Sequence, residues 1–185
     1  KSIGIQVEKN DPKIKKLLEE VKDREFIGYS YDGADASFEL LARRLMGEIP
    51  RYILINEYDV SVKKDNVGEI ISHAKAHLEV DGEKILCEGQ GNGPVNALDN
   101  AIRKNVNKLA KYSEYLKDLK LVDYKVRILN TGTEAVTRVS IESTDSKGIN
   151  WFTIGVSTNI IDASFKALVD SLDYKLFKDN APASI

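Results

Sequence analysis

The chain is short of several things, and each shortage excludes a class of protein. It has one cysteine, Cys87, among 185 residues. A lone thiol closes no internal disulfide, which excludes a small secreted fold held by disulfides. No apolar run is long enough to cross a bilayer and no signal-peptide pattern opens the chain, so the expected compartment is the cytoplasm. Charge of one sign is also missing: 27 Lys plus Arg stand against 29 Asp plus Glu, a net charge of -2. Such a balance exerts no broad pull on nucleic acid or on an anionic membrane. The sequence contains no Gly-Lys-Thr/Ser phosphate loop, no evident Ser-His-Asp or Cys-His set and no His-x-His pair. His73 and His77 are expected on one face of a strand, where that spacing is about 13 Å, too far for a shared metal. The first residue is Lys1 rather than Met, and the expectation is a piece of something longer.

What is present is a patterned hydrophobic fraction of 42%, enough to fill a core. Asp11-Pro12 reads as a helix start, and Ile14, Leu17, Leu18 and Val21 follow the helical period. A second helix is predicted from about Asp35, with Phe38, Leu41 and Leu45 on one side, ending at Gly47 and Pro50. Residues 1–48 thus read as a small helical attachment that packs on a neighbour. Tyr29 and Tyr31, with Asp32 and Asp35, read as a polar loop capping a helix.

After Pro50 the period becomes that of strands. Strands are predicted over residues 52–63, 73–80 and 84–88, with Asp81-Gly82 as a hairpin turn and Cys87 as a small core residue. Residues 89–94 read as a loop. Pro94 opens a helix with the stripe Val95, Leu98, Ile102, Val106 and Leu109. The order then recurs: strands over 119–129, 135–143 and 150–155, turns at Asn130-Thr131-Gly132 and Lys147-Gly148, and a helix from Asn159 carrying Ile161, Phe165, Leu168 and Leu172.

The recurrence has a fixed spacing of 66 residues. At that spacing Tyr58 matches Tyr124, Val60 matches Val126, Gly82 matches Gly148, Gly89 matches Gly155, Ala97 matches Ala163 and Ala101 matches Ala167. The middle strand fits better with a slip of one residue. The expected fold is α+β: two pseudo-twofold-related βββα units, about 49–114 and 115–185, preceded by the helical segment 1–48. Sheet and helix surfaces left open by such units favour a homodimer.

The two copies differ most where the helix begins: Gly91-Asn92-Gly93-Pro94-Val95-Asn96 in the first, Ser157-Thr158-Asn159-Ile160-Ile161-Asp162 in the second. Glycines allow close approach of a ligand, and a helix N-terminus offers N–H groups and partial positive charge to a small carboxylate. The same glycines also suit a tight turn with positive φ. A dinucleotide loop is excluded by the Gly-x-Gly-x-Gly spacing and the lack of a parallel βαβ unit.

The stretch Gly91-Asn92-Gly93-Pro94-Val95-Asn96-Ala97-Leu98-Asp99 resembles the regulatory-domain motif of the 2-isopropylmalate, citramalate and homocitrate synthase family. Gly33-Ala34-Asp35-Ala36-Ser37-Phe38-Glu39-Leu40-Leu41 is similar to the linker of its bacterial citramalate synthase branch. Residues 122–129 and 155–164 match the second half of that domain, so the resemblance covers essentially the whole chain. It implies a linker (1–48) and a regulatory, effector-binding and dimerisation domain (49–185) of an acyltransferase. The parent would condense acetyl-CoA with a 2-oxo acid in a metal-dependent TIM barrel lying outside this chain. The chain itself would then be non-catalytic and hold no cofactor or metal. For citramalate synthase the 2-oxo acid would be pyruvate and the effector isoleucine; for 2-isopropylmalate synthase the effector would be leucine. The resemblance places the effector at the dimer interface. Asn92, Gly93, Pro94, Val95 and Asn96 would hold its head group. Leu121, Tyr124 and Ile128 would wall its side chain, which implies a bulge or turn in that strand, and Thr158 and Ile160 would close over it. A dimerisation module without a ligand is the reading from another class.

Overall fold

The computed structural model describes residues 11–129 and 135–185; the turn expected at Asn130-Thr131-Gly132 lies outside them. Helix α1 (Pro12–Phe26) starts as its sequence requires, with the Asp11 carboxylate accepting the Lys13 N–H at 2.8 Å. Helix α2 (Asp35–Met46) ends on Gly47 at φ 75°. Strands β1 (Leu54–Lys64), β2 (Ile70–Val80) and β3 (Glu83–Gly91) form one antiparallel sheet, followed by α3 (Pro94–Arg103). A 3₁₀ turn (Val106–Lys108) and the short α4 (Ser113–Leu116) lead to β4 (Lys120–Ile128), β5 (Thr137–Thr144) and β6 (Asn150–Ser157). These make a second sheet in the order β4-β5-β6, and α5 (Ile160–Lys178) follows. The class is α+β with two βββα units, as the repeat predicts.

The spacing survives in detail. Leu54 and Lys120 open the two first strands, and Pro94 and Ile160 open the two helices, each pair 66 positions apart. The slip of the middle strand is also real. Ala74 stands opposite Gly89, and Val139 opposite Gly155; the glycines differ by 66 positions and their partners by 65.

By contact the chain forms two compact units, which cut it differently from sequence order. One unit comprises Lys1–Pro50 with Leu121–Tyr174, the other Arg51–Lys120 with Lys175–Ile185. The helical segment therefore groups with the second βββα unit.

In the unit of Arg51–Lys120 the sheet is helix-covered on one face. Ala74, Ala76, Leu78 and Val80 of β2 are buried, with Cys87 of β3 and with Ala97, Leu98, Ala101 and Ile102 of α3. The opposite face carries surface pairs such as Lys75–Glu88 at 3.0 Å. The expected stripe of the helix breaks after Arg103, so Leu109 reaches the core from the segment beyond it. The C-terminal tail closes this unit: the Tyr112 hydroxyl donates to the Pro182 carbonyl at 2.9 Å, and the Ser184 N–H to the Arg51 carbonyl at 2.7 Å.

In the other unit the sheet is covered on both faces. Val139 and Ile141 of β5 are buried with Ala163, Ala167 and Leu168 of α5. On the far face Ile154 and Val156 of β6 are buried too, and α2 packs against β6. The positions 66 earlier are Glu88 and Gln90, both exposed. The apolar surface of α2 is wider than Phe38, Leu41 and Leu45, because Ala36, Leu40 and Ala42 are more deeply buried than Phe38. A polar network fixes α2 to this unit. Ser37 Oγ accepts the Ile154 N–H at 2.9 Å and donates to Asp170 at 2.8 Å, and Arg44 pairs with Asp170 and Asp173 at 2.8 and 2.7 Å.

Candidate functional site

The structure corrects the reading of residues 89–94 as a loop. Gly89, Gln90 and Gly91 belong to β3 and pair with Ala74, His73 and Ser72. A Cβ on Gly89 would overlap the backbone of Ala97 and Ala101, and one on Gly91 would overlap Asn96 and Ala97. These two glycines serve the close packing of α3 on its own sheet. Gly155 does the same work in the second copy, where a Cβ would overlap the Ala163 carbonyl. Gly93 is different: its φ is -155°, which any residue adopts, and a Cβ there would meet nothing within 4 Å. Neither positive φ nor internal packing accounts for it.

Gly93 is the N-cap of α3 and supplies no side-chain cap, and the first turn carries no acidic residue. Pro94 takes the first helical position. The Asn96 side-chain oxygen accepts the Asn92 N–H at 3.3 Å, which orders the approach to the helix. Asn92 and Asn96 are exposed, and Gly93, Pro94 and Val95 are half-buried. The first-turn N–H groups of Val95 and Asn96 have no acceptor further up the helix, as in any helix start. The second copy solves the same problem internally. Asn159, the residue 66 after Gly93, accepts the N–H groups of Ile161 at 2.8 Å and Asp162 at 3.3 Å. One helix start is thus sealed by its own side chain and the other is open. Asn159 was legible as an N-cap before Ile160, but the sequence reading passed over it.

The remaining expected residues lie in the other compact unit. The Tyr124 hydroxyl bonds Ser164 Oγ at 2.8 Å, and that hydroxyl donates to the Ile160 carbonyl at 2.6 Å. Tyr124 and Ile160 are therefore linked through Ser164, which sequence reading did not single out. Burial pushes the Tyr124 phenol up from its ordinary pKa, with the Ser164 bond opposing. Ile128 shares Tyr124's strand parity and is 71% exposed. Leu121 is half-buried and corresponds by the repeat to Ile55, which precedes a bulge of β1 between Ile55 and Glu57, where strand alternation shifts by one residue. Thr158 is exposed just before Asn159.

Apolar side chains are also left without cover along β4: Val122 is 53% exposed and Val126 39%. Val62 of β1, the counterpart of Ile128, is 56% exposed. Two first strands with open apolar faces are surfaces made for a partner. Among the described residues no cluster of three His, Cys, Asp or Glu could hold a metal, and no helix is long and apolar enough to cross a membrane.

Residues 32–176 match the family described as the LeuA allosteric (dimerisation) domain. The chain belongs to this family. The LeuA domain covers α2 and both βββα units, so the repeat and the open strand faces are features of that domain. Similar proteins include the (R)-citramalate synthases of Aquifex aeolicus and Geobacter sulfurreducens. The first is 43% identical over 97% of this chain and 34% of its own length, the second 43% over 95% and 33%. A 2-isopropylmalate synthase of Clostridium acetobutylicum is 39% identical over 56% of this chain and 17% of its own. The chain spans about a third of the length of the curated citramalate synthases it matches.

Proposed function

We propose that this LeuA domain is the feedback sensor of a citramalate synthase, binding isoleucine at a homodimer interface. The parent activity would be condensation of acetyl-CoA with pyruvate, in a metal-dependent barrel outside this chain. The observation that carries the reading is the extent of similarity. The likeness to citramalate synthases runs through the helical segment as well as the repeat, whereas the likeness to the Clostridium 2-isopropylmalate synthase covers 56% of the chain.

The geometry supports the same reading. The open start of α3, with Asn92, Gly93, Pro94, Val95 and Asn96, suits the carboxylate and amine of an amino acid. Leu121, Tyr124, Ile128 and Ile160 offer apolar surface for an aliphatic side chain, and Thr158 closes over it. Effector and substrate sites would be coupled by about 1–3 kcal/mol, the usual allosteric range.

Isothermal calorimetry of the chain with isoleucine, leucine and valine tests this. Isoleucine is expected to bind most tightly. Tighter binding of leucine would move the assignment to a leucine-sensing 2-isopropylmalate synthase, the second reading that the Clostridium relative supports; the two isomers differ by about 1–3 kcal/mol in a hydrophobic pocket. A dimer that takes up none of the three would leave a dimerisation module only.

A further inference from the structure

The face of β4 and β5 turned away from α5 carries an unusual set of charges. Lys125 and Arg127 are two apart on β4, Arg138 and Ser140 two apart on β5, so each pair shares a strand face. The Leu129 N–H donates to the Val136 carbonyl at 2.8 Å. Continued along the antiparallel ladder, that bond sets Arg127 opposite Arg138 and Lys125 opposite Ser140. The parity agrees with the other face, where Tyr124 bonds Ser164 of α5 and Val139 stands opposite Gly155, packed on α5. With Ser30 and Asp32 from the segment before α2, and Ile154 as an apolar floor, these four residues line a cleft of about 330 Å³.

Like charges directly opposite on a sheet face repel. Lys125 is answered by Asp123 at 2.6 Å. Among the described residues neither Arg127 nor Arg138 has a carboxylate in ion-pair distance. The fold does not demand this arrangement. In the first copy the positions 66 before Lys125 and Arg127 are Asp59 and Ser61, which face Lys75 and His73 across the ladder.

We propose that this cleft is a binding site for a small phosphate-type anion, either inorganic phosphate or a phosphomonoester. Two guanidinium forks facing one another match the several oxygens of a tetrahedral phosphate, and Lys125 adds a third positive charge. The Ser30 and Ser140 hydroxyls supply further donors. Asp32 repels a carboxylate but accepts the P–OH of a phosphate that keeps one proton, which a phosphomonoester does below a pKa of about 6. The bound anion would join the segment before α2 to the sheet on which α2 packs.

The test is a thermal-unfolding titration of the whole chain near pH 6, with sodium phosphate, methyl phosphate, succinate and sodium chloride at matched ionic strength. Phosphate, methyl phosphate or both are expected to raise Tm saturably, and which one does identifies the source of the group. Succinate is expected to act at least tenfold more weakly. R127E, which places a carboxylate opposite Arg138, is expected to unfold at a higher Tm than the parent without phosphate and to lose the phosphate response. R138Q, which only removes one fork, serves if R127E does not fold, and is expected to lose the response as well. Equal stabilisation by chloride, succinate binding as tight as phosphate, or a phosphate response retained in both variants would overturn the proposal.

Discussion

Gly89 and Gly93 sit four residues apart and do unrelated work. Gly89 lies where α3 presses on β3, and any side chain there would enter the helix backbone. Gly89→Ala is expected to cost about 1–3 kcal/mol, the usual penalty of forcing a methyl group into a packed core. Gly155→Ala should cost a similar amount, since the second copy has the same close approach. Gly93→Ala, with open space around it, should cost less than either, about 0.5–1 kcal/mol, because alanine is a poorer N-cap than glycine. Urea unfolding of the three variants decides this, and a large loss for Gly93→Ala would contradict the geometry. If Gly93 borders the effector, Gly93→Asp keeps the fold and removes the response to the amino acid, because it sets a carboxylate where the ligand's own carboxylate would lie. Sequence showed that Gly89 recurs in the repeat as Gly155, whereas Gly91 and Gly93 do not recur. It could not separate packing glycines from the free one, because that difference depends on what lies within a few ångströms of an absent side chain.

Helix α2 owes its place to a few polar contacts as much as to Ala36, Leu40 and Ala42. Arg44 reaches two carboxylates of α5, and the more sheltered consequence falls on Asp173. Burial pushes its pKa up to about 6, with Arg44 opposing the shift. An aspartate in the unfolded chain titrates near 3.9. The folded state therefore holds this proton more tightly than the unfolded state does. Its contribution to stability is least favourable above pH 6 and improves as pH falls from about 6 toward 4. Asp173→Asn should remove that limb. Plotted as a difference between parent and variant from pH 4 to 8, Tm should rise for the parent relative to the variant on acidification. A flat difference would mean that Asp173 stays ionised across the range. The element itself was legible from Asp35 to Gly47, but its burial was underestimated. A stripe read as Phe38, Leu41 and Leu45 assumes one covered side, whereas Ala34, Ala36, Leu40 and Ala42 are nearly inaccessible as well. Ile154 and Val156, set against Glu88 and Gln90 of the first copy, were the available sign that the second sheet needed a cover on its far face.

Across the whole molecule, the strongest sign of a partner is apolar surface that the chain leaves open on its first strands. Ile128 is 71% exposed, so Ile128→Asp should change the stability of a single chain by no more than about 0.5 kcal/mol. If β4 contributes to a homodimer, the same substitution should shift the chain toward monomer in sedimentation velocity at micromolar concentration. It should also weaken effector binding, since the proposed pocket depends on that interface. A dimer unchanged by Ile128→Asp would place the interface elsewhere.

The sequence alone determined the order of elements, the class and the duplication, because these rest on local periodicity and on residues that recur at one spacing. It also determined the family, because the motifs stand in order along nearly the whole chain. The tertiary structure decided how far each strand runs, which face each side chain takes, and what each glycine is for. It showed that the glycine-rich stretch begins inside β3, and that Asn159 seals one helix start while Gly93 leaves the other open. The reason is physical. Periodicity records whether a residue is buried, but the neighbour that buries it, and the hydrogen bond that uses up a donor, come from elements distant in sequence.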